Sequence, residues 1–310
     1  MIQINDSKKL AEVSILSTIG IVFALASTYI PFLSMFFMFN GIPYTIISAR
    51  CGIRYSIMSL FISLMILMLT TGPISALMFA LVFVPSIFIG YNIYKNKNPF
   101  KNIGLGSLFF ILLMMLYIKL SIIIFNVDIV KLFNDMLIKT INVEKDLINS
   151  LGIKVNEKEL NNLIESFSIY LPSMLVVIPS IVISFMNYYI SAFILKRIKK
   201  DENLLPEVKD FSLPGNIPVG IVFIYVATLI IKYIDGIYYE SIVMNLEMVI
   251  LTLFLIQGAC VYSYFLDKIN IRKGTKGFLI IISFIIKPIV LIITIIGMLD
   301  SAMNFRKIRR

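Results

Sequence analysis

"GFLIIISFIIKPIVLIITIIGM", residues 277–298, decides how many times this chain crosses a membrane. A helix needs about 20 apolar residues to span roughly 30 Å of hydrocarbon, and this run has that length. Yet Lys287 and Pro288 sit in its middle. A lysine at mid-bilayer costs about 2.5–3.5 kcal/mol on insertion scales, and an interior proline breaks the helical hydrogen-bond ladder. Two arrangements answer the conflict. One is a straight ninth span with a buried, functional Lys287, for which Glu247 is the nearest intramembrane acid. The other is a re-entrant hairpin bent at Lys287–Pro288, with arms of about 11 residues or roughly 16 Å each.

Charge counting turns this choice into a question of sides. Starting with the N-terminus in the cytoplasm, the same side receives Lys8, Lys9, Arg50, Arg54, Lys95, Lys97 and Lys101. It also receives Lys196, Arg197, Lys199, Lys200 and Lys209, then Lys268, Arg272, Lys273 and Lys276. That asymmetry follows the positive-inside bias and holds through eight crossings. A ninth crossing would send the basic ending "FRKIRR", residues 305–310, to the outside. The hairpin would keep it inside.

The surrounding composition fixes the class. Of 310 residues, 59% are hydrophobic and 15% charged, with a mean hydropathy of +0.92; soluble domains average about 25% charged. The expected fold is an all-α polytopic membrane protein with eight to nine transmembrane helices. Apolar runs fall at 11–30, 32–48, 55–69, 74–94, 104–125, 169–195, 219–231 and 242–266, before the run at 277–298. The segment 126–168 differs, being charged with apolar positions at helical spacing (Phe133, Met136, Leu137, Leu147, Ile148 and Leu151). It reads as an extramembrane helical hairpin, with Gly152 as a stop and Asn156 with Glu159 as a capping pair. A proline- and charge-rich linker near 200–218 divides the chain into 1–200 and 201–310.

The net charge of +10 does not point to nucleic acid, because the basic residues gather in short loops between spans. The chain has no histidine, and its two cysteines, Cys51 and Cys260, stand far apart. Metal sites, haem and catalytic triads therefore have little to be built from. No P-loop, G-x-S-x-G elbow or paired intramembrane aspartate is present. The expectation is a protein that is not an enzyme and carries no cofactor.

Polar residues at membrane depth are the candidates for specific work. Asn40, Lys119, Asn187, Tyr188 and Tyr189 fit interhelical bonding or interfacial anchoring. Glu247, Gln257 and Lys287 are the candidates for a polar interior that binds a ligand, and Lys287→Met is expected to abolish function while leaving the fold. Gly20 and Ala24 form a small-xxx-small pair at which another helix can approach closely.

Several stretches in order carry a family likeness: "GIPYTIISARCG", "TGPISALMFALVFVPSIFIG", "FSLP" (Phe211, Pro214), "QGACVYSYFLDK" and "GMLDSAMNFRK". They include Pro43, Arg50, Gly52, Gly72, Pro73, Gly90, Gln257, Gly258, Gly297, Asp300, Phe305 and Arg306. On these the chain resembles the YybS-like predicted membrane proteins of bacteria, a family defined by a domain of unknown function. Its first six spans are also similar to the S components of energy-coupling-factor vitamin transporters. That likeness implies an S-component-like six-helix core with C-terminal helices added, a small-molecule ligand, and docking on an energy-coupling transmembrane subunit with ATPases. The family's first-helix Ala-xxx-Ala docking face is relaxed here to Gly20-xxx-Ala24. The functional expectation is a bacterial cell-membrane protein that binds or helps transport a small molecule without its own ATPase. The alternative is a scaffold for another membrane complex.

Overall fold

The computed structural model describes residues 6–150, 157–199, 207–213, 215–233 and 239–308. Leu151, Gly152, Asn156, Lys200 and Pro214, each given a role above, lie outside the described residues. Among those described, all regular structure is helical. In chain order the elements are α1 (Asp6–Tyr29), a 3-10 segment (Pro31–Phe39), α2 (Ile42–Cys51), α3 (Ile53–Thr71), α4 (Pro73–Tyr94), α5 (Pro99–Phe125) and α6 (Ile129–Ser150). There follow α7 (Glu157–Pro172), a π segment (Ser173–Val177), α8 (Ile178–Lys199) and a 3-10 turn (Val208–Asp210). The chain ends with α9 (Ile217–Ile231), α10 (Tyr239–Lys268), α11 (Lys273–Ile285) and α12 (Lys287–Met303).

Six helices are long and apolar enough to cross a membrane, or seven if the bent pair α11–α12 counts as one span. This is an all-α polytopic membrane protein. Two of the apolar runs take forms that hydropathy does not distinguish. The run at 32–48 is split at Asn40–Gly41 into the 3-10 segment and α2, which cover roughly 18 Å and 15 Å respectively. The run at 219–231 is a helix of 15 residues, about 22 Å long.

The chain divides into two compact units. The first comprises Met1–Val155 and Met174–Leu205, and α2 lies at its centre. Eight of the ten α2 residues are buried, so its sequence "IPYTIISARC" can include Thr45 and Ser48 where a lipid-facing helix would not. Tyr44 stacks on Phe83 of α4 with ring centroids 4.0 Å apart. Around this centre, α3 and α5 show apolar side chains outward, among them Phe61, Met65, Leu69, Leu112 and Met115, as lipid-facing helices do. The joints either side of α3 are single glycines, Gly52 (φ 88°) and Gly72 (φ 87°), where a side chain would meet the left-handed penalty. At the ends of α1 and α2, Arg50 pairs with Glu12.

The second unit comprises Asn156–Ser173 and Pro206–Arg310 and is built on α10. Gly258 of α10 and Gly297 of α12 permit a backbone-close crossing. A methyl at Gly258 would lie 1.9 Å from the Ile293 carbonyl, and one at Gly297 would lie 1.9 Å from that of Phe254. Pairing Gly258 with Ile293 and Phe254 with Gly297 runs the two helices in opposite directions. A smaller apolar cluster of Leu213, Ile250 and Phe254 gathers Phe211, Ile217, Ile221 and Leu246 around it.

The 277–298 stretch is not one straight helix. Its two halves meet at 105°, and the break is Ile286, whose φ of −94° and ψ of 101° are extended. Lys287 and Pro288 are therefore the first residues of α12, with Pro288 in the first turn. Proline costs little there, because that N–H would be unsatisfied in any case.

Candidate functional site

Within the first unit, the break in the second apolar run collects polar groups from five elements. Asn40 closes the 3-10 segment and is completely buried. Its Nδ2 donates to Ser27 Oγ of α1 at 3.1 Å, while its Oδ1 has no hydrogen-bond partner. From α8, Asn187 Nδ2 donates to the carbonyls of Ile183 (2.9 Å) and Met38 (3.3 Å), so it takes up backbone of the 3-10 segment. Ser86 Oγ of α4 lies 3.4 Å from Asn187 Oδ1. On α2, the Thr45 hydroxyl lies 3.1 Å from the Ser86 carbonyl, and Ser48 donates to that of Ile87 at 2.8 Å.

This arrangement follows from the local sequence. Asn40–Gly41 precedes Pro43, which has no N–H to give, and Gly41 has no Cβ. A methyl at Gly41 would lie 2.0 Å from Ser86 Oγ and 2.5 Å from Asn187 Oδ1. Glycine there lets α4 and α8 approach the break closely. Among the described residues, the only buried charges are Asp300 and Arg306, both in the second unit. The break is thus a neutral amide and hydroxyl cluster, able to bond a neutral polar group and poorly suited to an ion.

In the second unit, a different constellation forms around Gln257. Its Oε1 accepts from Leu213 N at 2.9 Å, and its Nε2 donates to Asp300 Oδ2 at 2.6 Å. Arg306 Nη2 donates to the same Oδ2 at 2.9 Å and to the Phe211 carbonyl at 2.8 Å, while Nη1 donates to the Lys209 carbonyl. The side chains of Arg306 and Asp300 are both 1% exposed. Every member is bonded, which makes the cluster a clamp on the linker backbone. Beside it, Lys209 pairs with Glu207, whose carboxylate raises the lysine pKa above its usual range.

The three polar-interior candidates from sequence are not brought together. Gln257 is fully buried in the clamp. Glu247 is exposed, with Tyr225 OH donating to it at 3.4 Å. Lys287 is exposed at the start of α12. Gly20 and Ala24 point inward: a methyl at Gly20 would lie 2.7 Å from the Tyr44 ring, and Ala24 is fully buried. The element that Gly20 admits is α2 of the same chain. Sequence reading named Asp300 and Arg306 for family likeness only: they lie six positions apart, off helical spacing, and their other partners stand 43 or more positions away.

The chain matches the family described as "Predicted membrane protein (DUF2232)" over residues 18–301, and it belongs to that family. It is 22% identical over 309 residues to the uncharacterized protein YybS of Bacillus subtilis (strain 168), an alignment covering 97% of this chain and 98% of that protein. No solved structure matches.

Proposed function

We propose that this chain is a non-enzymatic solute-binding membrane subunit, which binds or helps move a small neutral molecule and draws any energy from a partner complex with its own ATPases. The observation that carries this reading is Asn40. A buried amide oxygen without a partner costs roughly 1–3 kcal/mol, and Asn40 Oδ1 bears that cost at a break in an otherwise apolar run. Interrupted helices with irregular backbone are a recurrent way to build polar ligand sites in membrane transport proteins. In the same unit Tyr44, Phe83 and Phe79 form a buried aromatic series, the kind of residue that ordinarily lines small-molecule sites. The location proposed is the bacterial cell membrane, and the distribution of Lys and Arg supports placing the N-terminus in the cytoplasm.

Mass spectrometry of gently purified protein tests the reading, comparing wild type with Asn40→Ala. A small molecule retained by wild type and lost from a still-folded variant supports it. Energy-coupling ATPases in the same preparation would identify the partner. A stoichiometric membrane protein with no bound small molecule would replace it with the scaffold reading.

A further inference from the structure

We infer that α6 is an interfacial helix, lying along the membrane surface at the C-terminal end of α5 with an exposed apolar strip against lipid. Its mixture of charged and apolar residues suits a solvated arm only if the apolar side chains are packed away. They are not. Leu132, Phe133, Met136, Val143 and Leu147 are all exposed, Met136 and Leu147 by 62% and 61%. At about 3.6 residues per turn these five fall within an arc of about 100°. Thr140 shares the arc, but its hydroxyl donates to the Met136 carbonyl at 2.9 Å and so brings no unsatisfied group to it. Lys131, Asp135, Lys145 and Asp146 lie on the other side of the helix, with Lys139 and Glu144 at the two edges of the strip.

What covers the strip follows from the joint with α5. That helix ends in lipid-facing surface, for Ile122, Ile123 and Ile124 are exposed in its last turns and continue the outward side of Leu112 and Met115. Lys119, also exposed near this end, can lay its stem along that surface and raise its ammonium to headgroups, which sets the hydrocarbon boundary near the end of α5. Asn126 then turns the chain off the α5 axis. It is left-handed, with φ 53°, and donates its N–H to the Ile122 carbonyl, while Val127 N donates to that of Ser121. This double closure terminates a helix. Asp128 opens α6 at once, its Oδ1 accepting from Lys131 N at 3.0 Å. Residues 126–128 span at most about 10 Å, so α6 begins within that distance of the boundary.

The surface available there is lipid, and the helix has the chemistry for it. An amphipathic helix in the interface seats its apolar face between headgroups and acyl chains and keeps its polar face in water. The charges of α6 balance, with Lys131, Lys139 and Lys145 against Asp135, Glu144 and Asp146. Apolar burial therefore holds it, and attraction to anionic headgroups does not. The seat is expected to form on neutral phosphatidylcholine and to withstand salt, which screens charge but not apolar burial.

The chain has no tryptophan, so one introduced indole reports on its own surroundings and wild type serves as the blank. Three exposed residues are replaced singly in the full-length protein: Phe133→Trp on the strip, Asn142→Trp on the polar face and Leu112→Trp on the lipid-facing side of α5. Each variant is reconstituted in phosphatidylcholine vesicles and quenched in turn by acyl-chain-brominated lipid and by iodide on both sides of the membrane. The expected result is that bromines quench Phe133→Trp, as they do Leu112→Trp, and that iodide does not. Asn142→Trp should respond to iodide instead, and both patterns should persist at high sodium chloride. Iodide quenching of Phe133→Trp as strong as that of Asn142→Trp would place the strip in water. Shielding from both quenchers would mean that protein covers it. Either result overturns the inference, as does loss of the lipid quenching at high salt. A size-exclusion profile matching wild type confirms that each variant is folded when it is measured.

Discussion

The Asn245 side chain bridges one position of the helix that leads into the π segment: it accepts from Ser173 N at 3.0 Å and donates to the Ile169 carbonyl at 2.7 Å. These are the N–H and C=O that an undistorted α-helix would join to each other. They lie beside Pro172, which has no N–H of its own. The amide of α10 thus keeps the backbone satisfied where the helix opens, and Ser173 Oγ adds a 2.6 Å bond to the same oxygen. A π segment needs such outside partners in an apolar setting.

Replacing Asn245 with leucine should therefore destabilise the fold without touching a lipid-facing surface. Two buried backbone groups would lose their partner, at roughly 1–3 kcal/mol each. Asn245→Asp should recover part of the loss, since it keeps the acceptor for Ser173 N but cannot donate to Ile169. Unfolding followed by size exclusion on a detergent temperature ramp would rank the three proteins. Equal midpoints for wild type and leucine would show that the bridge contributes nothing.

The clamp should be more sensitive. Arg306→Met strands the Asp300 carboxylate in a dry site, and breaking one side of a buried ion pair costs about 3–5 kcal/mol. Lysine in its place retains the charge but lacks the planar fork that reaches Asp300 and two carbonyls together. The expected stability order is wild type, then Arg306→Lys, then Arg306→Met. A methionine variant as stable as wild type would show that the pair is dispensable.

Gly297 offers a test of packing alone. A methyl there points at the Phe254 carbonyl and the Gly258 backbone, neither of which can rotate away. Gly297→Ala should cost roughly 1–3 kcal/mol by overpacking. Gly274→Ala, where a Cβ would meet open space, is the matched control and should leave the midpoint unchanged. Loss of stability in both would indicate that the effect does not come from the α10–α12 crossing.

How much of this was legible in the sequence depends on the kind of signal. The helices α1, α3, α4, α5, α8 and α10 follow from apolar runs of spanning length. Hydropathy is blind to the break at Asn40–Gly41 and the bend at Ile286, because the chain is apolar on both sides of each. Local chemistry marked only the bend, by a lysine before Pro288; the Asn-Gly before Pro43 reads as part of one continuous run. Gln257 stood out as a polar residue at depth, but its partners could not be read. Asp300 and Arg306 are joined by a left-handed turn and not by helical spacing, and the linker contributes only backbone atoms. Sequence offers no signal for which carbonyl a guanidinium will hold.

That local chemistry also changes what is expected of Lys287. In a straight span it would sit near mid-depth, and removing its charge would remove either a large penalty or a function. At the first residue of α12 its side chain is exposed, level with the end of α10, where a lysine can extend its ammonium towards headgroups. Among the described residues it forms no ion pair with Glu247, which instead accepts from Tyr225. Lys287→Met should then shift stability by no more than about 0.5 kcal/mol, as exposed substitutions away from special features do. Pro288→Ala should be similarly mild, because proline in a first helical turn interrupts no hydrogen bond. Detergent unfolding midpoints of the two variants check both expectations. A large loss from Lys287→Met would mean that its ammonium is held by a buried partner, and would restore the lysine as a candidate for the polar interior.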